Sequence, residues 1–218
     1  MSEHELEAGD AGYSQYQSMI DSHGISKFKD MVKQSIPIPK EGIMKQPYKI
    51  AFTGHRPNKI GGYNNAHPLR IAVKQAIEDA LKRAITKFGD THEITVITGG
   101  ALGVDQDAAR VAHSLGLPFI VASPFVGQEG NWPKSSKDTY SKMLSYAKEV
   151  VVVSEGGYDP AKMQIRNQWM VDNCDALVAV WDGTSGGTAN CVRYALSVGK
   201  AIVRIDVTNI KDLLKGDK

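Results

Sequence analysis

Residues Ile94–Ser123 read "ITVITGGALGVDQDAARVAHSLGLPFIVAS", and the patterning changes three times along them. "ITVIT" is a short β-branched run of strand length. "TGGALGVDQD" is rich in glycine. "VDQDAARVAHSLG" carries apolar residues at helical spacing and stops at Gly116, as helices often do. "FIVAS" is again a strand-length apolar run. Strand, loop, helix and strand in that order make a βαβ unit. Both strand runs are nearly continuous in apolar character, which suits strands covered on both faces of a parallel sheet.

The same texture extends in both directions. "YKIAF" (48–52), "VVVVS" (150–154), "ALVAVW" (176–181) and "AIVRI" (201–205) are further strand-length runs. Between the first two strands, Leu69, Val73, Ala76, Ile77, Ala80, Leu81 and Phe88 recur at three- and four-residue spacing and share one helix face. Right-handed crossovers then predict a Rossmann-like, doubly wound, mostly parallel α/β sheet with helices on both faces. It is expected over residues 48–218 as one domain. Residues 1–47 lack this patterning, and "KQSIPIPKEGIMKQP" places three prolines where sustained helix or central-strand pairing would need free amides. They are expected to form an N-terminal arm, partly ordered or mobile.

Composition narrows the function. Twenty-six basic residues against 24 acidic give a formal charge of +2. That balance argues against a nucleic-acid or membrane-surface partner bound by overall charge, so any anion site must be local. Two cysteines, Cys174 and Cys191, are too few for a disulfide scaffold. Six histidines without HxxxH or CxxC-type spacing predict no metal site. The acidic N-terminus lacks signal-peptide character, and no run approaches the roughly 20 apolar residues of a membrane span. A cytoplasmic protein with no cofactor is the expectation.

Unusual residues fall where strands hand over to helices, at the carboxyl edge of the sheet, where open α/β sheets bind ligands. The first such loop supplies Thr53, Gly54, His55 and Arg56. The second supplies Gly99, Gly100, Ala101, Leu102, Gly103 and Asp105, the third Ser123 and Glu129, and the fourth Glu155. Arg166 and Asn167 follow, at the start of an expected helix "RNQWMVDNCDA". The fifth loop, "DGTSGGTAN", supplies Asp182, Gly183, Thr184, Ser185, Gly186, Gly187, Thr188 and Asn190. Glycines let the backbone approach a phosphate closely, and a following helix directs amides and its positive dipole end at the anion. Arg56 and Arg166 are the expected cationic partners, and Phe125, Trp132 and Tyr158 the expected stacking surfaces. Asp105 reads as the N-cap or a first-turn acid of its helix rather than a metal ligand. GxxxxGK[ST], a GxGxxG after the first strand and GxSxG are all missing, which removes P-loop, NAD-dehydrogenase and α/β-hydrolase readings.

In order, "TGHRP", "ITGGALGVDQDAA", "SPFVGQEGNW", "RNQWMVDNCDALVAVWDG" and "SGGTAN" resemble the SLOG superfamily of Rossmann-like nucleotide-binding proteins, and within it the YpsA-like group. The resemblance runs from about Lys49 to Asp206. More distant similarity points two ways. "TGGALGVDQDAARVAHSLG" is similar to the DprA family, which binds single-stranded DNA. "RNQWMVDNCDALVAVWDGTSGGT" is similar to the LOG phosphoribohydrolases, which cleave base from sugar in nucleoside monophosphates. There the resemblance places Arg166 at the family's catalytic arginine, but Cys191 where its catalytic glutamate belongs. Glu155 or Glu129 would have to supply the carboxylate that an oxocarbenium-like transition state needs.

The leading expectation is therefore a protein that binds a mononucleotide or ADP-ribose-type ligand in a sensing, sequestering or regulatory role. The alternative is a nucleotide N-glycosidase using Arg166 with Glu155 or Glu129, and a further alternative is DprA-like binding of single-stranded nucleic acid. The resemblance also implies a homo-oligomer.

Overall fold

The structure, a computed structural model, describes residues 45–216. The expected arm lies outside the described residues except for 45–47. Six strands, β1 (Gln46–Gly54), β2 (His92–Thr98), β3 (Phe119–Ser123), β4 (Glu149–Val152), β5 (Ala176–Trp181) and β6 (Ala201–Asp206), alternate with helices α1 (Pro68–Phe88), α2 (Val104–Ser114), α3 (Lys134–Tyr146), α4 (Pro160–Asp172) and α5 (Gly187–Ser197). Helix α6 (Val207–Gly216) follows β6, and a single 3-10 turn covers Pro57–Lys59.

All strand pairings are parallel, in the order β4-β3-β2-β1-β5-β6. The chain winds outward from β1 to β4, then crosses back to lay β5 on the other side of β1. Right-handed crossovers running in opposite directions send helices to opposite faces. On one face Ile50, Phe52, Val96, Val178 and Val180 pack with Val73 and Ile77 of α1, Val104 and Ala108 of α2, and Met143 of α3. On the other, Ala51, Ile97, Ala122 and Leu177 pack with Met170 and Val171 of α4 and Cys191 and Ala195 of α5. Alternation along β1 assigns Ile50 and Phe52 to the first layer and Ala51 to the second, as the period of two in a strand requires. The expected Rossmann-like doubly wound sheet is the fold observed.

Two local expectations change. The central strands are covered on both faces, but the edge strands are not: Val150 and Val152 of β4 are 43% and 47% exposed, and Val203 of β6 is 46% exposed. An apolar run thus marks these strands without revealing that they lie at the rim, where a helix covers less of each face. Helix α4 also starts at Pro160 rather than at Arg166. Asp159 caps it, accepting from the Ala161 amide at 2.8 Å, with proline at the first helical position. Arg166 therefore projects from mid-helix.

One buried ion pair ties the first layer together. Arg70 of α1 and Asp107 of α2 are 4% and 0% exposed. Nε approaches Oδ2 at 2.6 Å, Nη2 donates to Oδ1 at 2.9 Å, and Nη1 donates to the Gly62 carbonyl at 2.9 Å. Removing one partner strands a charge in a low-dielectric interior. Asp107→Ala is expected to lower unfolding free energy by about 3–5 kcal/mol, read as a fall in the urea midpoint at unchanged slope.

Candidate functional site

Because strand order reverses between β1 and β5, the loops leaving these neighbours diverge to opposite faces and leave a crevice between them. A cleft of about 280 Å³ opens there. Thr53, Gly54, His55 and Arg56 line it from the end of β1, Ala101 and Asp105 from the start of α2, and Arg166 and Asn167 from α4. Thr184, Ser185, Gly186, Gly187 and Thr188 line it from the fifth loop. Thirteen of the residues expected from sequence therefore converge on one cavity.

Arg166 is its centre. Only 5% of the residue is exposed, yet it lines the cleft. Nη1 donates to the Gly99 carbonyl at 2.8 Å, Nε donates to Asn167 Oδ1 at 3.0 Å, and Nη1 lies 3.7 Å from Asp105 Oδ2. Nη2 has no hydrogen-bond partner among the described residues. Gly99 exists for this side chain, since a Cβ there would collide with the guanidinium. Burial pushes the Asp105 carboxyl up and the Arg166 guanidinium down, each opposed by the partner's charge. Guanidinium does not lose its proton in proteins, so Arg166 remains the fixed cation of the site. Arg56 is exposed at the rim, with no hydrogen bond from its guanidinium among the described residues.

The two glycine loops differ in what their helices leave free. At α2 the Val104 amide donates to the His55 carbonyl at 3.1 Å and the Gln106 amide to the Ala101 carbonyl at 3.3 Å. Gly103, at φ +100°, sits so close to the His55 carbonyl that a Cβ would strike it. That loop is consumed in joining α2 to β1. Neither helix has a side-chain cap, but at the start of α5 the Gly187, Thr188 and Ala189 amides make no hydrogen bond among the described residues, and Gly186, Gly187 and Thr188 all line the cleft. The open amides and dipole end are those of α5.

The fifth loop is held from beneath. Asp182 Oδ1 accepts from the Thr184 amide at 3.0 Å and its hydroxyl at 2.6 Å, and Oδ2 lies 3.2 Å from Lys59 Nζ. Burial disfavours the Asp182 carboxylate, but these hydrogen bonds, with Lys59 and His55, hold it well below the usual carboxylate range. His55 Nε2 accepts from the Asp182 amide at 3.1 Å and lies 2.9 Å from Oδ1. Burial lowers the His55 pKa, against the pull of Asp182.

Other expected residues stand elsewhere. Gly99 and Gly100 are buried behind the cleft wall, and Leu102 and Gly103 face a separate depression. Ser123 Oγ donates to the Phe125 carbonyl at 2.8 Å. Asp182 and Gly183 support the loop without lining the cavity, and Asn190 accepts from Arg193 Nη1 at 3.2 Å on an outer surface. Glu129 and Glu155 do not line the cleft. Neither do the expected stacking residues: Phe125 packs edge-on to Tyr158 with ring centroids 6.0 Å apart, and Trp132 packs against Tyr140 at 5.2 Å. The cleft's aromatic wall is Trp181, whose Nε1 donates to the Thr184 carbonyl at 2.6 Å. Asn58, Lys59 and Met163 also line it unforeseen. Lys59 follows Arg56 by three residues across the 3-10 turn, and Met163 precedes Arg166 by three on α4. Both spacings were readable signals. Cys191 is wholly buried, and burial raises its thiol to about 11, so it is a packed thiol at neutral pH. Among the described residues no group of His, Cys, Asp and Glu is placed to hold a metal ion, and no helix is long and apolar enough to cross a membrane.

An all-parallel sheet with helices on both faces and a cation-lined cleft at its switch point places the chain among the Rossmann-like doubly wound α/β proteins. The model of the YspA SLOG family matches residues 50–210, and the chain belongs to that family. It is 37% identical to the SPbeta prophage-derived protein YoqJ of Bacillus subtilis, the match covering 59% of this chain and 83% of that protein. A UPF0398 protein of Bacillus cereus strain G9842 is 33% identical, over 64% of this chain and 77% of its own. Among solved structures, the DNA processing protein A of Streptococcus pneumoniae superposes with a TM-score of 0.52 at 18% identity, over 72% of this chain and 50% of that one. The Helicobacter pylori protein of the same name, described for its single-stranded DNA binding mode, gives 0.51 at 23% identity, over 78% and 74%. At such identities the likeness is one of fold.

Two outcomes follow for the site. Both cysteines are buried, so Ellman's reagent at pH 8 should titrate no thiol in the native protein and both after denaturation. For His55 the folded state favours the neutral ring, so the unfolded chain takes up its proton first. The stability His55 contributes is present above its unfolded pKa of about 6.5 and is lost as pH falls through the lower folded value. The difference in urea midpoint between wild type and His55→Gln should therefore shrink from pH 7.5 to pH 5.

Proposed function

We propose that the switch-point cleft binds a nucleotide or nucleotide-derived small molecule, of mononucleotide or ADP-ribose type, and that the protein acts by sensing, sequestering or regulating through that ligand. The observation that carries this reading is the buried Arg166, fixed by Gly99 and Asn167, its Nη2 unpaired among the described residues, lining a cavity that also receives the uncapped start of α5. A phosphate there accepts from Arg166, from the first amides of α5 and from the hydroxyls of Ser185 and Thr188, with Arg56 at the rim. Trp181 offers its ring to the base.

Binding without turnover is favoured by what surrounds Arg166. Among the described residues no glutamate lines the cavity, and the wholly buried Cys191 holds its proton. The one carboxylate of the lining, Asp105, is already engaged by Arg166 and by the Ala101 amide at 3.4 Å. The near-neutral net charge weighs against tracking a nucleic-acid backbone, which needs several basic contacts.

Isothermal titration calorimetry with AMP, ADP, ADP-ribose and inorganic phosphate tests the reading. At least one nucleotide should bind, and Arg166→Ala should weaken it by about tenfold or more, equivalent to about 1.4 kcal/mol. Gly99→Ala should weaken the same ligand while leaving Arg166 in the sequence, because the new methyl displaces the guanidinium. Absence of binding across the panel, or affinity indifferent to Arg166, would overturn the proposal.

A further inference from the structure

In the first helical layer, away from the switch-point cleft, α2 and α3 leave a groove between them. Its upper part, about 200 Å³, is lined among others by Arg70, Gln106, Ser135 and Ser136. Its lower part, about 260 Å³, has Ala109, Phe119, Met143 and Tyr146 for walls, with His113 and Lys142 beside them. Arg110 and Thr139 line both parts, so the two adjoin along α2. Taken together the two parts offer more volume than the switch-point cleft. It shares no lining residue with the cleft.

Charge is one-sided in this groove. Arg70, Arg110 and Lys142 line it, and among the described residues no aspartate or glutamate does. The nearby Asp107 is fully buried and held by Arg70 and Arg110. Arg110 keeps a side chain 37% exposed beyond that contact. The Ser135 and Ser136 hydroxyls make no hydrogen bond, and the Lys142 ammonium no ion pair, among the described residues. At the lower end the polarity reverses. Phe119 and Met143 are buried side chains whose remaining surface faces the groove, and His113 stacks on Tyr146 with centroids 4.4 Å apart. Small Ala109 leaves the space between them unfilled.

We propose that the α2–α3 groove is a second ligand site, taking a small amphipathic anion. Its phosphate or carboxylate head is held by Arg110 with the Ser135 and Ser136 hydroxyls. Its aliphatic or aromatic body lies over Phe119 and Met143, with Lys142 at the rim. A cationic end alone would select any anion and an apolar end alone any hydrophobe; the groove selects ligands that carry both.

The probe is 1-anilinonaphthalene-8-sulfonate, an aromatic body bearing a sulfonate, followed by fluorescence with the full chain. One saturable site is expected. Octyl phosphate should displace the probe, whereas equal concentrations of octanol or inorganic phosphate should not. Arg110→Glu and Lys142→Glu, both at exposed or half-exposed positions, should each weaken the probe by about tenfold or more. Thr139→Trp should block the groove where its two parts adjoin, with circular dichroism and thermal midpoints verifying that each variant is folded. Arg166→Ala should leave probe binding unchanged, which separates this site from the cleft whatever the fate of the nucleotide reading. Affinity unaltered in both charge reversals, displacement by octanol as strong as by octyl phosphate, or loss of the site in Arg166→Ala would each overturn the proposal.

Discussion

A guanidinium with almost no exposed surface must find acceptors within the protein, and for Arg166 the decisive one is the carbonyl of Gly99, 2.8 Å from Nη1. The contact joins the middle of α4, on one face of the sheet, to the end of β2. It demands a residue without Cβ at position 99 and an amide side chain at 167 to accept the hydrogen bond from Nε. It also brings Asp105 close enough to temper the charge. Much of the cleft is arranged around keeping this one cation in place, because removing it would leave Asp105 buried without its partner.

The same economy explains why two similar glycine loops do different work. Glycines at 99, 100 and 103 and at 186 and 187 look alike as letters. In the fold, Gly103 lets α2 press its first turn against the His55 carbonyl, and Gly54 lets β1 pass within reach of Val104, where a Cβ would stand 2.6 Å from its side chain. The second loop is thus a weld between β1 and α2. The fifth loop is pinned instead from below, by Asp182, Lys59 and His55, and its upper side stays open.

The fold was largely legible in the sequence because it depends on repeated patterning: six β-branched runs and the apolar spacing of α1 average over many residues. The location of the site was legible for a topological reason, since the carboxyl edge of such a sheet is where loops gather. Individual contacts were less so. Nothing local in "SPFVGQEGNW" says that Phe125 turns inward and Glu129 away from the cleft, because that depends on α3 and on the Gln128–Tyr140 hydrogen bond at 2.6 Å. Trp181 was in view as the last residue of a strand, but only the β1–β5 register, pairing Gly54 with Val180, brings it level with His55 at the cleft. The start of α4 was written in Asp159-Pro160 and was obscured by the more conspicuous arginine that follows.

The sheet order has a consequence for how this protein comes into being. β1 is a central strand, yet its partner β5 lies far along the chain: the Lys49 amide donates to Asp175 across 126 residues, and His55 meets Asp182 across 127. During synthesis β1 to β4 can pair in sequence while the other edge of β1 stays bare. The cleft has no fifth loop, no Trp181 and no α5 until that long loop closes, a step whose entropic cost makes such contacts late. A newly made chain can therefore pack α1 to α3 on β1 to β4 before Val178 and Val180 complete that layer and before the cleft has its second wall. A small molecule that prefers the finished cleft would draw the last closure forward by mass action, acting on assembly as well as on the assembled protein.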